Sequence, residues 1–190
     1  MATIETLTLA ECLRSDRVNE LQLRPACAVS PDDRVRDVVR CMTERRTGCA
    51  LVIDVGAGAA AASAAVPGDT NGNGRGHATG GPAGRLIGIF TERDFLARIV
   101  ATGASPDVPV RDVMTSDPVT VNEHDSVGRA VELMERGGYR HLPVMGPAPS
   151  GPLGVVSVKD VVHYLVEYFP SNVYNLPPTP DQTQPAREGA

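Results

Sequence analysis

Two stretches decide how this chain folds: Gly88-Ile-Phe-Thr91-Glu-Arg93-Asp94 and Gly154-Val-Val-Ser157-Val-Lys159-Asp160. Both have the form GxxTxxD or GxxSxxD, with a cation immediately before the aspartate. Each follows a short apolar run, Leu86 to Phe90 or Leu153 to Val156, and opens a segment with helical spacing. A hydroxyl, a cation and a carboxylate are thereby set at a strand-to-helix junction. The first backbone N–H groups of a helix lack partners and carry partial positive charge, so such a junction suits a phosphorylated ligand. The same spacing also fits a capping box, in which the hydroxyl caps the helix and the acid three residues on reaches back to the cap N–H.

The repetition extends upstream. A shift of 92 positions aligns residues 18–53 with residues 110–145 without a gap, pairing Val18 with Val110, Val29 with Val121, Asp33 with Asp125, Val39 with Val131, Met42 with Met134 and Val52 with Val144. A tandem duplication explains that register. Beyond Val52 the offset drops from 92 to 66, so the first copy carries 26 extra residues. They fall at about Val55 to Gly84, where Gly, Ala, Asn and Ser dominate and periodic apolar content is nearly absent, which predicts a loop.

Each copy reads as β-α-β-β-α. Ala26 to Val29 and Val119 to Val121 have the character of short strands. Asp33 and Asp125 suit N-caps of helices whose apolar residues fall at Val35, Val38, Val39, Met42 and at Val127, Ala130, Val131, Met134. Cys49 to Ile53 and Leu142 to Met145 follow as strands, then the strand ending in the repeated phrase, then a last helix from Thr91 or Ser157. The second copy's last helix is expected to stop near Pro170, with residues 170–190 a mobile Pro-rich tail. The domain layout is thus an N-terminal segment 1–17, a first motif 18–101 and a second motif 110–169, two units packed as one α/β (α+β) module with a pseudo-two-fold axis.

Composition narrows the function classes. With 42% hydrophobic residues in 190, the chain can bury a sizeable core, built from Val, Leu, Ile and Ala because aromatics are only 4%. No apolar run approaches the roughly 20 residues needed to span a bilayer, and the N-terminus lacks a signal-peptide pattern, so a cytoplasmic protein is expected. The formal charge of −5 argues against a nucleic-acid partner. Cys12, Cys27, Cys41 and Cys49 include no CxxC pair and three lie in apolar segments, so buried thiols are expected rather than a disulfide or zinc framework. There is no nucleophile beside a base, no paired His ligands and no phosphate loop, so no enzyme, catalytic residue, catalytic cofactor or metal is expected.

The tandem units, with "PVTV", "YRHLPV" and "GIFTERD", resemble a pair of CBS domains, the family named after cystathionine β-synthase, over about residues 18–168. The resemblance implies a free-standing regulatory pair that senses an adenosine ligand, AMP, ADP, ATP or S-adenosylmethionine, in clefts between the copies. It further implies a homodimer that stacks two pairs into a disc, and a separate effector protein that receives the signal. Asp94 or Asp160 would accept hydrogen bonds from the ribose hydroxyls, an ionised carboxylate having two acceptor oxygens at suitable spacing. Thr91 or Ser157 would meet phosphate with hydroxyl and backbone N–H, aided by Arg93 or Lys159. Arg140 is the position that often contacts phosphate, with His141 beside it. Adenine would meet strand backbone near Thr120 and Val121, or near Cys27 and Ala28 in the other cleft. The first copy departs from the pattern, having Gly48 and Cys49 where the second has Arg140 and His141. Two further readings stand beside this one: a structural or protein-interaction module with empty clefts, and, disfavoured by spacing, a redox or metal protein.

Overall fold

The computed structural model describes residues 8–21, 23–24, 26–55, 84–147 and 151–169. Most of the Gly/Ala-rich insertion and the 170–190 segment lie outside them. The elements are α1 (Leu9–Ser15), β1 (Cys27–Val29), α2 (Val35–Glu44), β2 (Cys49–Asp54), β3 (Arg85–Thr91) and α3 (Glu92–Phe95), which continues as a π-helical turn over Leu96–Val100. Then follow β4 (Thr115–Ser116), β5 (Val121–Asn122), α4 (Val127–Gly137), β6 (His141–Met145), β7 (Pro152–Ser157) and α5 (Val158–Tyr168). The expected β-α-β-β-α order is present in both copies. Strands lie in the order β1-β2-β3-β4 in one sheet and β5-β6-β7 in the other. In each, the first pairing is parallel across a helix and the second antiparallel.

The helices form where the apolar spacing puts them. Val35, Val38 and Met42 of α2, and Val127, Ala130 and Met134 of α4, are buried. Each buried Val or Met among them contributes about 1.5–3 kcal/mol of transfer free energy. The caps differ from expectation. Asp33 and Asp125 do not cap; each carboxylate turns back three residues and accepts from the backbone N–H of Ser30 or Asn122, both at 2.8 Å. The short Asp side chain there closes a turn ahead of the helix, as Asp does when it mimics a backbone acceptor. The cap of α4 is the next residue, Ser126, whose hydroxyl accepts from the Arg129 N–H at 3.1 Å, while its equivalent Arg34 makes no side-chain cap.

Strand β2 shows why the module has more than one core. Alternate residues of a strand face opposite sides. Accordingly Ala50 and Val52 enter a core with Cys27, Val38, Met42 and Phe90, whereas Cys49, Leu51 and Ile53 enter a core shared with Ile89 and with Val155 of the other copy. A third core gathers Val121, Val127, Leu142, Val144, Val156 and Tyr164. The shared core joins the two sheets.

The copies exchange their leading segments. Val18 and Leu21, at the start of the first repeat, are buried in the core of the second, and Val110, the counterpart of Val18, is buried in that of the first. The hydrogen bonds obey the 92-residue register. The Val18 N–H donates to Asp125 O at 2.9 Å and that of Val110 to Asp33 O at 2.8 Å; the Asn19 N–H donates to Glu123 O at 3.0 Å and that of Arg111 to Pro31 O at 3.1 Å. Helix α1 accompanies this exchange. Leu13 packs against the second core, Gly128 lets the backbone of α1 approach, and the Tyr164 hydroxyl donates to Asp16 at 2.5 Å.

One cysteine expectation is corrected. Cys27 and Cys41 form a disulfide across a sequence separation of 14, with Cα atoms 6.6 Å apart. The pairing follows from the strand-helix unit, because α2 packs over β1 and brings the helix flank above the strand's inner face. Cys12 and Cys49 remain thiols.

Candidate functional site

Each repeated phrase ends a strand, and the helix that follows starts on a complete capping box. The Thr91 hydroxyl donates to Asp94 Oδ2 at 2.6 Å and its N–H donates to the same oxygen at 2.9 Å; Ser157 makes the same two bonds to Asp160 Oδ2 at 2.6 and 2.8 Å. The Asp94 and Asp160 N–H groups return to the hydroxyls at 3.3 and 3.4 Å. The capping role is therefore realised in both copies. It uses one carboxylate oxygen of each aspartate.

The other oxygen faces the exchanged segment. Thr115 lies opposite Ile89 and Arg24 opposite Val155, Ile89 and Val155 being equivalent in the repeat. The Thr115 hydroxyl donates to Asp94 Oδ1 at 3.2 Å, with the Arg98 Nε 3.6 Å away; Arg24 Nε donates to Asp160 Oδ1 at 2.9 Å. Asp160 is the more deeply buried, its side chain 6% exposed against 12% for Asp94. The phrase glycines make this contact possible. A Cβ on Gly154 would stand 2.9 Å from Arg24 O, and one on Gly88 would collide with the Met114 side chain.

His141 stands across β6 and β7 from Ser157, so register brings it to the second phrase. Its ring lies against Gly48, where a Cβ would come within 3.0 Å of His141 Cε1. Gly48 thus leaves room for His141, which is why the first copy has no side chain at that place. Burial holds the His141 pKa below its usual value, against Glu92 and Asp160, which raise it, and with Arg140, which lowers it. Burial also pushes the Cys49 thiol up to about 12, so it is protonated and inert. Arg93, Arg140 and Lys159 are exposed. Val121, on the edge strand β5, is buried and Thr120, just before it, partly so; β6 separates β5 from the strand of Ser157, two strand spacings or about 10 Å across the sheet. Cys27 and Ala28 hold the matching edge of the first sheet on β1.

The structure gathers Thr91 with Asp94, and Ser157 with Asp160 and His141. The sequence reading missed Arg24, Thr115 and Arg98, because two of them arrive from segments exchanged between copies, a proximity that no local motif carries. Among the described residues no group of three or more His, Cys, Asp or Glu side chains is placed to hold a metal, and no helix is long and apolar enough to cross a membrane. A shallow depression of about 220 Å³ lies between Val131, Met134 and Tyr139 on one side and Val158 and Val161 of α5 on the other.

Residues 110–167 match the CBS domain family. Among curated relatives, the chain is 33% identical over 138 residues to the mitochondrial CBS domain-containing protein CBSX3 of Arabidopsis thaliana, covering 71% of this chain and 54% of that protein. The chain thus spans about half the length of that relative. Among solved structures, it resembles a CBS domain protein of Pyrobaculum aerophilum complexed with AMP, with a TM-score of 0.59 and 26% identity over 80% of this chain and 97% of that one. At 14% identity and the same TM-score and coverage, the CBS domain pair of protein MJ0100, in complex with 5′-methylthioadenosine and S-adenosyl-L-methionine, shares the fold.

Proposed function

The chain belongs to the CBS-domain family as a tandem pair, and from that premise we propose that it is a regulatory module binding an adenine nucleotide or S-adenosylmethionine between its copies. One observation carries the reading: the same hydroxyl and carboxylate pair stands at the start of a helix in both copies, each carboxylate keeping one oxygen outside its capping box. In this reading Asp94 and Asp160 hold ribose. Thr91 with Arg93, and Ser157 with Lys159, Arg140 and His141, meet phosphate, while backbone at Thr120 and Val121 meets adenine. The Pyrobaculum relative complexed with AMP supports a nucleotide and the MJ0100 pair supports a sulfonium nucleoside.

No enzymatic family is indicated, and the module senses rather than catalyses. Its signal passes to a separate effector through ligand-dependent shape. Exposed Val158 and Val162 of α5, beside the depression lined by Val131 and Tyr139, offer an apolar face for closed two-fold association. The reading places the module in the cytoplasm; fractionation of cells producing a tagged chain checks that.

Following melting temperature while AMP, ATP and S-adenosylmethionine are titrated tests the ligand. A binder of the folded state adds about 2.7 kcal/mol at 100 times its Kd. No shift with any of the three would favour the second reading, a structural module with empty clefts, which the completed capping boxes and the Arg24–Asp160 ion pair recommend.

A further inference from the structure

The two phrases are alike, yet the partners of their outer carboxylate oxygens are not. Thr115 brings a neutral hydroxyl to Asp94, with the Arg98 guanidinium standing off at 3.6 Å, and Arg24, at the equivalent ladder position, brings a directly bonded guanidinium to Asp160. A hydroxyl exchanges readily for a ribose hydroxyl, because both are neutral donors of similar strength. Arg24 does not exchange on those terms, since removing it strips the counter-charge from a nearly buried carboxylate. Arg24 itself is half-exposed, at 45%, and a single N–H of its five, Nε, is engaged with Asp160. It is anchored through its backbone, its carbonyl accepting from the Val155 N–H at 3.3 Å, so the side chain can swing while the segment stays in place.

We propose that Arg24 is the specificity-determining residue of the second cleft: it closes Asp160 in the empty cleft and passes to the ligand's phosphate when ribose takes Asp160. The inference rests on the ribose assignment above and adds a charge rule to it. A nucleoside monophosphate supplies a new anion for the displaced guanidinium, whereas adenosine supplies none. The second cleft therefore ranks AMP above adenosine. The first cleft, with Thr115 in place of Arg24 and with Arg98 tied to the backbone carbonyls of Val113 and Met114, discriminates less.

The experiment is calorimetric titration of the full chain carrying Asp94→Asn, so that the second cleft reports, with AMP and adenosine as probes. Arg24→Gln in that background, which keeps a hydrogen-bond donor for Asp160 without the charge, is the main variant, and Arg24→Ala is the second. The expected result is AMP binding weakened by about tenfold, as befits the loss of a charge-assisted bond, with adenosine binding unchanged or tighter. Equal losses for both probes, or an unchanged AMP-to-adenosine ratio, overturn the inference and leave the ligand-binding reading standing. Failure of both probes to bind the chain with Arg24 intact, in either background, overturns the inference, and failure of ATP and S-adenosylmethionine as well overturns the reading it rests on.

Discussion

Asp160 ties the start of α5 to the exchanged segment. Its Oδ2 accepts from the Ser157 N–H and hydroxyl and its Oδ1 from Arg24, with 6% of the side chain exposed.

 The two aspartates therefore differ in what they hold up. Asp160→Ala in the ligand-free protein loses a cap and a partly buried ion pair, about 2 kcal/mol after allowing for the half-exposed Arg24, or a melting temperature lower by about 4–8 °C. Asp94→Ala loses a cap and a weaker outer contact, about 1 kcal/mol. Thermal melts of the two variants check the order, and an equal or reversed loss would refute it. His141 has a pH signature. Burial holds its folded-state pKa below the unfolded value of about 6.5, so the unfolded chain binds more protons just below that pH. The neutral ring's contribution is complete above about 6.5 and is lost as pH falls from there through the lower folded-state pKa. Melting temperature should thus drop more between pH 7.5 and 5.5 in the wild type than in His141→Gln; parallel drops would show that His141 is not the group responsible.

At the scale of elements, the helices and the two phrase strands were legible because their periodicity and the 92-residue register are local signals. The caps were less so, since Asp33 and Asp125 stand one residue before the cap and have the right chemistry for it. The register also exposes a weak point. The Thr47 N–H donates to Met42 O and the Tyr139 N–H to Met134 O, both at 3.0 Å, so α2 and α4 end alike. The left-handed residue at that end is Gly138 at φ 64° in α4 but Arg46 at φ 51° in α2. Only glycine takes that conformation without cost. Arg46→Gly should therefore stabilise the protein by up to about 1 kcal/mol, a rise of about 2–4 °C in Tm, and a fall would show that the Arg46 side chain contributes more than its backbone costs. The disulfide was illegible for a different reason: it joins a strand to a helix flank, and only packing brings Cys27 to Cys41. Thiol titration of the denatured chain should find two reactive groups without reductant and four with it. Four in both cases would refute the bond.

For the whole molecule, the exchange of leading segments is what the repeat could not reveal, because a duplication shows which residues are equivalent and not which copy they pack against. Val18 and Val110 align in sequence and lie in opposite cores. Arg24 and Thr115 reach the aspartates by the same route, so the outer partners of the candidate site were hidden with it. The long insertion, by contrast, leaves the shared architecture intact. Asp54 pairs with Arg85 as Met145 pairs with Pro152, so in both copies the strand ends stand one strand spacing apart, about 5 Å. The second copy bridges that gap with a short connection. Deleting residues 58–82 leaves the first copy a connection of similar length, and the shorter loop lowers the entropy lost on closure by about 1.5 kcal/mol. The shortened chain should fold with both sheets in register and melt about 3–6 °C higher than the full one. Loss of soluble protein, or a lower melting temperature, would mean that residues of the insertion make contacts on which the first copy depends.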